Sequence, residues 1–259
     1  MIRKLIGDCN TSDLSADPAK TFAAMDKRYK LSSTRVALTA LRKLYPDNNE
    51  FIAEMKKRYT TFQKIDKTQT PTEKQAVDFI DWDSIIKWRD GAGSVLPIFD
   101  KLLVGLYTYI PPQRADFCPM RVTTRLPKTL EDGINYLVIN KRTARFVFHA
   151  YKTAATYGDR EVTVPAPLFK LLAEYLGDRR SGYLLQDGSI SWTPSRLGSN
   201  LRRIFLAAFD KEVSVNLLRH SYLTKAYAGM PALKELESIA SSMAHDILTS
   251  QKYRYIALE

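Results

Sequence analysis

Residues 134–165 read INYLVINKRTARFVFHAYKTAATYGDREVTVP, and across them the hydrophobic pattern changes from a helix period to a strand period. Tyr136-Leu137-Val138-Ile139, Ala144 to Tyr151 and Glu161-Val162-Thr163-Val164 are β-branched and aromatic runs. Asn140-Lys141 and Tyr157-Gly158-Asp159 separate them, and residues of these types favour tight turns. The spacing predicts an antiparallel sheet of about three strands. Helical periodicity flanks it on both sides. The chain is therefore expected to be mainly α with a small antiparallel β-sheet, an α+β fold.

Downstream of the sheet, helices are predicted over 168–176, 193–209, 216–228 and 233–242. Upstream, Val95 to Tyr109 is nearly all apolar and predicts a buried helix. Pro111-Pro112 ends it, since proline cannot donate and the residue before a proline avoids helical geometry. Trp82-Asp83 opens a shorter helix through Trp88. Between Lys20 and Tyr59, Val36, Leu38, Leu41, Leu44 and Tyr45 recur at helical spacing, with Ser32-Ser33-Thr34 as the expected N-cap. Pro46-Asp47-Asn48-Asn49 is a stop, and Phe51 to Phe62 forms a further amphipathic helix. Lys64 to Gln75 is polar, contains Pro71 and reads as a linker. Two domains are expected: residues 1–75, small and helical, and residues 76–259, bearing the sheet.

At 259 residues and 45% hydrophobic content, the chain can bury one large core or two ordinary ones. Lys and Arg number 39 against 28 Asp and Glu, a net charge of +11 that attracts polyanions, nucleic acid above all. The two cysteines, Cys9 and Cys118, lie far apart and read as reduced thiols of an intracellular protein, not a disulfide framework. No apolar run approaches the roughly 20 residues of a membrane span, and the N-terminus lacks the apolar region of a signal peptide. No Cys/His cluster has zinc spacing and no Walker-type glycine loop is present, so neither metal nor cofactor is expected.

Several polar residues are placed where chemistry is possible. Arg114, just past the buried helix, can grip two phosphate oxygens with its planar fork, and Asp116 can brace it; a surface ion pair explains the same string. Lys152 lies at the end of the second strand, before the Tyr157-Gly158-Asp159 turn, and could protonate a leaving oxygen, although lysines at hairpin tips commonly serve solubility. Arg219-His220 sits near the start of an apolar helix. A pair so close to apolar neighbours needs a partner, either a bound phosphate or a structural salt bridge. His245 follows a helix end of small residues, and Tyr253 lies eight positions further on. A tyrosine there can be a nucleophile if cations stabilise its phenolate and the phosphate it attacks.

Taken in order, an arginine past a buried helix, a hairpin lysine, Arg-His on a helix, a histidine and a tyrosine resemble the tyrosine recombinase (integrase) family. Leu218-Arg219-His220-Ser221-Tyr222-Leu223-Thr224 is similar to the family's Leu-Arg-His-Thr-Phe-Ala-Thr string. Met243-Ala244-His245 is similar to its Leu-Gly-His, and Thr249-Ser250-Gln251-Lys252-Tyr253 to its Thr-Thr-x-x-Tyr. The resemblance covers roughly residues 82–255. Ile110-Pro111-Pro112-Gln113-Arg114-Ala115-Asp116-Phe117 looks like the version carried by the branch of large DNA viruses and eukaryotic mobile elements.

The resemblance implies a site-specific recombinase or integrase that acts on double-stranded DNA through a 3′-phosphotyrosine, with a helical core-binding domain ahead of the catalytic one. Arg114 and Arg219 would clamp the non-bridging oxygens, Lys152 would protonate the departing 5′-oxygen, His245 would hydrogen-bond the phosphate and Tyr253 would attack. Asp116 and His220 would support them. A homotetramer on DNA and a monomer in solution are implied, working inside the cell wherever the target DNA lies: nucleus, viral factory or bacterial cytoplasm.

Two positions depart from the family pattern. Asn216 stands where histidine or lysine is usual, and asparagine cannot shuttle a proton. The interval from His245 to Tyr253 is one shorter than the common bacterial one, which makes Tyr255 an alternative nucleophile. Six residues follow Tyr253 in this sequence, so an exchanged arm is expected to be missing or very short, which implies monomer-like action or a truncated chain. Relaxation of DNA in the manner of a type IB topoisomerase and DNA binding without catalysis are the alternatives. An RNA-binding helical protein would explain the charge but not the ordered polar set.

Overall fold

Packing divides the chain into two units, one built from Met1–Thr70 with the segment from Met230 onward, the other from Pro71–Gly229. The computed structural model describes residues 1–242 and Ile247, and for Ser32, Asp66, Lys67 and residues 239–242 it describes the backbone alone.

The first unit begins with α1 (Ile2–Cys9), which ends at Asn10 in the left-handed region (φ 49°), a conformation asparagine tolerates. Next comes α2 (Pro18–Arg28), whose start is set by Asp17 accepting from Lys20 N at 2.9 Å and by Pro18 in the first turn. They are followed by α3 (Leu31–Leu44) and α4 (Asn49–Lys67). Leu5, Cys9, Leu14, Met25, Ala37, Leu38, Leu41 and Phe51 form their shared core, with Phe22 edge-on to Phe51 at 5.7 Å. Arg58 of α4 reaches Glu54 Oε1 at 2.7 Å and Asp26 Oδ2 of α2 at 2.9 Å, pinning the two helices.

Two sequence expectations change here. The serine-rich string does not cap α3: the helix starts at Leu31 after Lys30, and Thr34 Oγ1 donates back to Leu31 O at 2.7 Å from inside it. The segment expected as a linker is largely helical. Within it α4 continues to Lys67, and α5 (Glu73–Asp78) begins at a capping box in which Gln75 N donates to Thr72 Oγ1 and Thr72 N donates to Gln75 Oε1.

The second unit continues from α5 into α6 (Trp82–Asp90), capped by Asp81, and then α7 (Ile98–Thr108), buried from Leu102 through Thr108. Strands β1 (Met120–Thr123), β2 (Asn135–Ile139), β3 (Ala144–Phe148) and β4 (Arg160–Thr163) pair in that order. The three expected strands pair antiparallel, and β1 adds a fourth that runs parallel to β2, Met120 opposite Asn135, making the sheet mixed. A one-turn helix, α8 (Ala154–Tyr157), lies in the β3–β4 connection. One face of the sheet, with Val122, Leu137, Phe146 and Phe148, joins the main core; the other, with Tyr136, Val138 and Val147, is covered by Leu126, Leu130 and Ile134. Burial on both faces explains why β2 is a continuous apolar run and not an alternating one.

Beyond the sheet, α9 (Ala166–Leu176) packs on α7, a short hairpin of β5 (Gln186–Asp187) and β6 (Ile190–Ser191) follows, then α10 (Pro194–Phe209) and α11 (Val215–Ala226). Ser214 caps α11 by accepting from Leu217 N. The helix docks on α6 through Tyr222 against Trp82, centroids 5.2 Å apart, and Lys225 with Asp83 at 2.6 Å. The final helix, α12 (Leu233–Ser242), belongs to the first unit, its Leu233 N donating to Gln69 Oε1 at 2.9 Å. Among the described residues no helix is long and apolar enough to cross a membrane.

Gly105 is where α7 approaches α9: a Cβ there would meet Leu171 Cδ1 at 2.9 Å and Leu168 Cδ1 at 3.4 Å. Valine at this position overpacks the contact and is expected to cost about 1–3 kcal/mol. Thermal denaturation of Gly105→Val should show a midpoint several degrees lower; an unchanged midpoint would mean that the helices part freely.

Candidate active site

The site forms where one end of the sheet gathers four chain segments. Here β1 and β2 begin, β3 ends and β4 begins, so the loop 109–119 and the connection 149–159 emerge side by side. Each is fastened to the fold beneath. Tyr107 Oη, fully buried in α7, donates to Arg114 O at 2.8 Å and folds the loop back on its helix. Asn135, fully buried at the start of β2, donates through Nδ2 to Asp116 O at 2.7 Å and to Ala150 O at 3.0 Å. Its Oδ1 accepts from His149 N and Ala150 N at 2.9 and 2.8 Å. Both donors and both acceptor sites of this amide are used, so it joins the loop carrying Arg114 to the segment leading into Lys152.

Asp116 stands at the centre. Its Oδ2 accepts from Arg114 N at 3.3 Å. Burial raises its carboxyl above the ordinary aspartate range, while the Arg114 amide and the charges of Arg114, Arg160 and Arg219 act to lower it. The charges of three guanidinium groups thus reach one half-buried carboxyl. Arg114 and Arg219 are themselves half-buried, and neither side chain makes an ion pair or hydrogen bond among the described residues. Cations placed in partial burial without a paired carboxylate form a ready anion site, with planar donors suited to two phosphate oxygens.

The sign of the Asp116 shift gives a test. A folded-state pKa above the unfolded one means that this group's contribution is full below the unfolded value and is lost as pH rises through the folded one. Asp116→Asn removes that loss. Its melting temperature should equal or exceed wild type at pH 7, and the difference should vanish below about pH 3.8, the usual aspartate value. A variant clearly less stable than wild type at pH 7 would show that the arginines depend on the carboxylate.

The other sequence-expected residues fall as follows. Lys152 is exposed, four positions past the end of β3, and has no ion-pair partner among the described residues. The turn beyond it is closed by Tyr151 Oη donating to Gly158 O at 2.7 Å, with Gly158 at φ 65°. Asn216 is exposed in the first turn of α11, one turn before Arg219 on the same side. His220 is exposed next to it and touches no partner among the described residues. His245, Tyr253 and Tyr255 lie outside the described residues.

Competing nucleophiles nearby are disfavoured by burial. The Cys118 thiol is pushed up to about 12 and the Tyr107 phenol well above its usual range, so neither ionises readily at neutral pH. Among the described residues no three His, Cys, Asp or Glu side chains gather as metal ligands.

Three residues that sequence reasoning passed over belong to this end of the sheet: Asn135, Arg160 and His149, whose Nδ1 lies 2.7 Å from Asp159 Oδ1. Asn135 carries no local sequence signal for burial. Arg160 and His149 could have been suspected from their positions at either end of the connection that bears Lys152.

No family model matches the sequence, and no curated protein matches it. Five chains of solved structures are similar, among them two recombinases. One is the XerA recombinase, at TM-score 0.41 and 16% identity, over 98% of this chain and 84% of that one. The other is the XerH site-specific recombinase bound to difH substrate in a pre-cleavage complex, at TM-score 0.38 and 17% identity, over 70% of this chain and 51% of that one. At these scores the likenesses carry no weight beside the side-chain geometry.

Proposed function

We propose that the chain is a DNA strand transferase of the tyrosine recombinase type. The observation that carries the reading is that Arg114 and Arg219, half-buried on segments far apart in sequence, both act electrostatically on Asp116 and make no ion pair among the described residues. In this reading residues 1–75 act as the core-binding domain and 76–259 as the catalytic domain, although α12 packs with the first unit. The net charge of +11 suits duplex DNA as the partner.

In this mechanism Arg114 and Arg219 each hold a non-bridging oxygen of the scissile phosphate and stabilise the charge that builds in the transition state. The Tyr253 oxygen attacks phosphorus and the bond to the 5′-oxygen breaks. Lys152 gives that oxygen its proton, and a 3′-phosphotyrosine remains. His245 hydrogen-bonds the phosphate. Asn216 can donate a hydrogen bond but cannot accept the phenol proton, which passes to solvent. Attack by the freed 5′-hydroxyl of another strand reverses the step, so rejoining needs no nucleotide cofactor. Branch membership, a tetramer on DNA and site-specific integration belong to this same reading.

Asn216 favours one second reading, a DNA-binding member that has lost cleavage. A pool of nicked duplexes with a randomised centre separates the two, because a nick near the scissile bond lets the leaving strand escape and traps the adduct. The strand-transfer reading expects a covalent protein–DNA band on a denaturing gel; retention of DNA with no such band selects the second reading.

A further inference from the structure

The end of the sheet that carries Arg114 and Lys152 holds another cation to which the roles above give no task. Arg160 opens β4 opposite Phe148, the last residue of β3. Its Nη2 donates to Gln113 Oε1 at 3.2 Å, and its guanidinium lies over the Tyr151 ring, 5.3 Å from the centroid. Gln113 directly precedes Arg114, and Tyr151 directly precedes Lys152. One guanidinium therefore touches the neighbours of both residues.

Its contacts are themselves fixed. Gln113 Nε2 donates to Pro111 O at 2.6 Å, and the Tyr151 hydroxyl is tied to Gly158 O. The acids on either side of Arg160 in sequence are committed elsewhere, Asp159 to His149 at 2.7 Å and Glu161 to Arg145 at 3.3 Å. Among the described residues Arg160 has no carboxylate within ion-pair distance, although its charge reaches Asp116. An exposed arginine flanked by two acids that pairs with neither, and instead bridges two loops, is not placed for solubility.

We propose that Arg160 is a positioning residue that clamps the Lys152 connection onto the Arg114 loop, holding the lysine ammonium at the oxygen that leaves. The inference rests on the strand-transfer reading. Below the site Asn135 fixes the backbone of the two segments; above it Arg160 fixes their side-chain layer. Without the clamp residues 149–159 lose their upper tether, and delivery of the proton to the 5′-oxygen is the step that slows.

The test uses the full chain and a duplex recovered from the nicked pool, made with either oxygen or sulfur at the bridging 5′ position. A thiolate leaves without protonation, because a thiol is a far stronger acid than an alcohol. On the oxygen duplex Arg160→Ala is expected to cleave about 10–100-fold more slowly, with affinity changed less than about threefold. On the sulfur duplex it should match wild type. Gln113→Ala, which removes the bond and keeps the charge, should show the same pattern in smaller degree. Wild-type rates on both duplexes, or equal slowing on both, would overturn the clamp while leaving the strand-transfer reading intact. A wild-type chain that forms no adduct with any duplex overturns that reading, and the clamp with it.

Discussion

Arg219→Ala is expected to lower the rate of DNA cleavage by about 10³-fold or more, with little change in melting temperature. The reason is the side chain's situation. Arg219 is half-buried on α11 and makes no ion pair among the described residues, so the fold does not depend on it for a structural bridge. Its charge acts on Asp116, as does that of Arg114. A donor aimed at charge that develops in the transition state, in a site partly shielded from water, is worth several kcal/mol there and little in the resting protein. Arg114→Ala should behave alike, and the two losses should fall short of additive because both donors act on one phosphate. Single-turnover cleavage of the selected duplex and thermal melting measure the two sides. Melting that collapses while DNA affinity per folded molecule stays normal would mark Arg219 as structural.

Tyr253→Phe is expected to abolish the adduct outright. The phenol oxygen forms the new bond to phosphorus, and phenylalanine offers no atom in its place. Tyr255→Phe should retain the adduct. The reverse result would move the nucleophile two positions along and leave the phosphate site unchanged. Binding of uncleaved duplex should survive both substitutions, since it draws on the basic surface and not on the phenol. Measuring affinity alongside adduct yield separates loss of chemistry from loss of binding.

Much of the architecture was legible because its signals are local. The strand period that begins at residue 134, the nearly all-apolar α7 and the proline pair after it gave β2, β3, β4 and the loop that bears Arg114. What escaped depends on contacts made across the chain. β1 is four residues with an arginine at the second position, and its partner in a parallel pairing is reached without a hairpin turn. Ser32-Ser33-Thr34 looked like a cap because the residue types fit, yet the extended backbone at Lys30 sets the helix start one residue before them. Residues 64–75 looked like a linker because they are polar, which outweighed the Thr72-x-x-Gln75 capping signal present in the same string.

The site divides the same way. Arg114, Asp116, Lys152 and Arg219 could be named from motif order, whereas Asn135 could not. An asparagine at the head of an apolar run gives no hint of burial until the four hydrogen bonds that hold it are seen. Arg160 reads as a solvated strand end until its contacts with Gln113 and Tyr151 are seen.

The most direct measurement is the chemical identity of the link to DNA. Wild-type chain is incubated with the nicked duplex pool, the adduct is digested with protease and nuclease, and the linked peptide is sequenced by mass spectrometry. The account predicts a 3′-phosphate ester on the tyrosine of the peptide containing Tyr253, lost when both Arg114 and Arg219 are replaced. An ester on any side chain other than Tyr253 or Tyr255, a link to a 5′ end, or no adduct at all would contradict it.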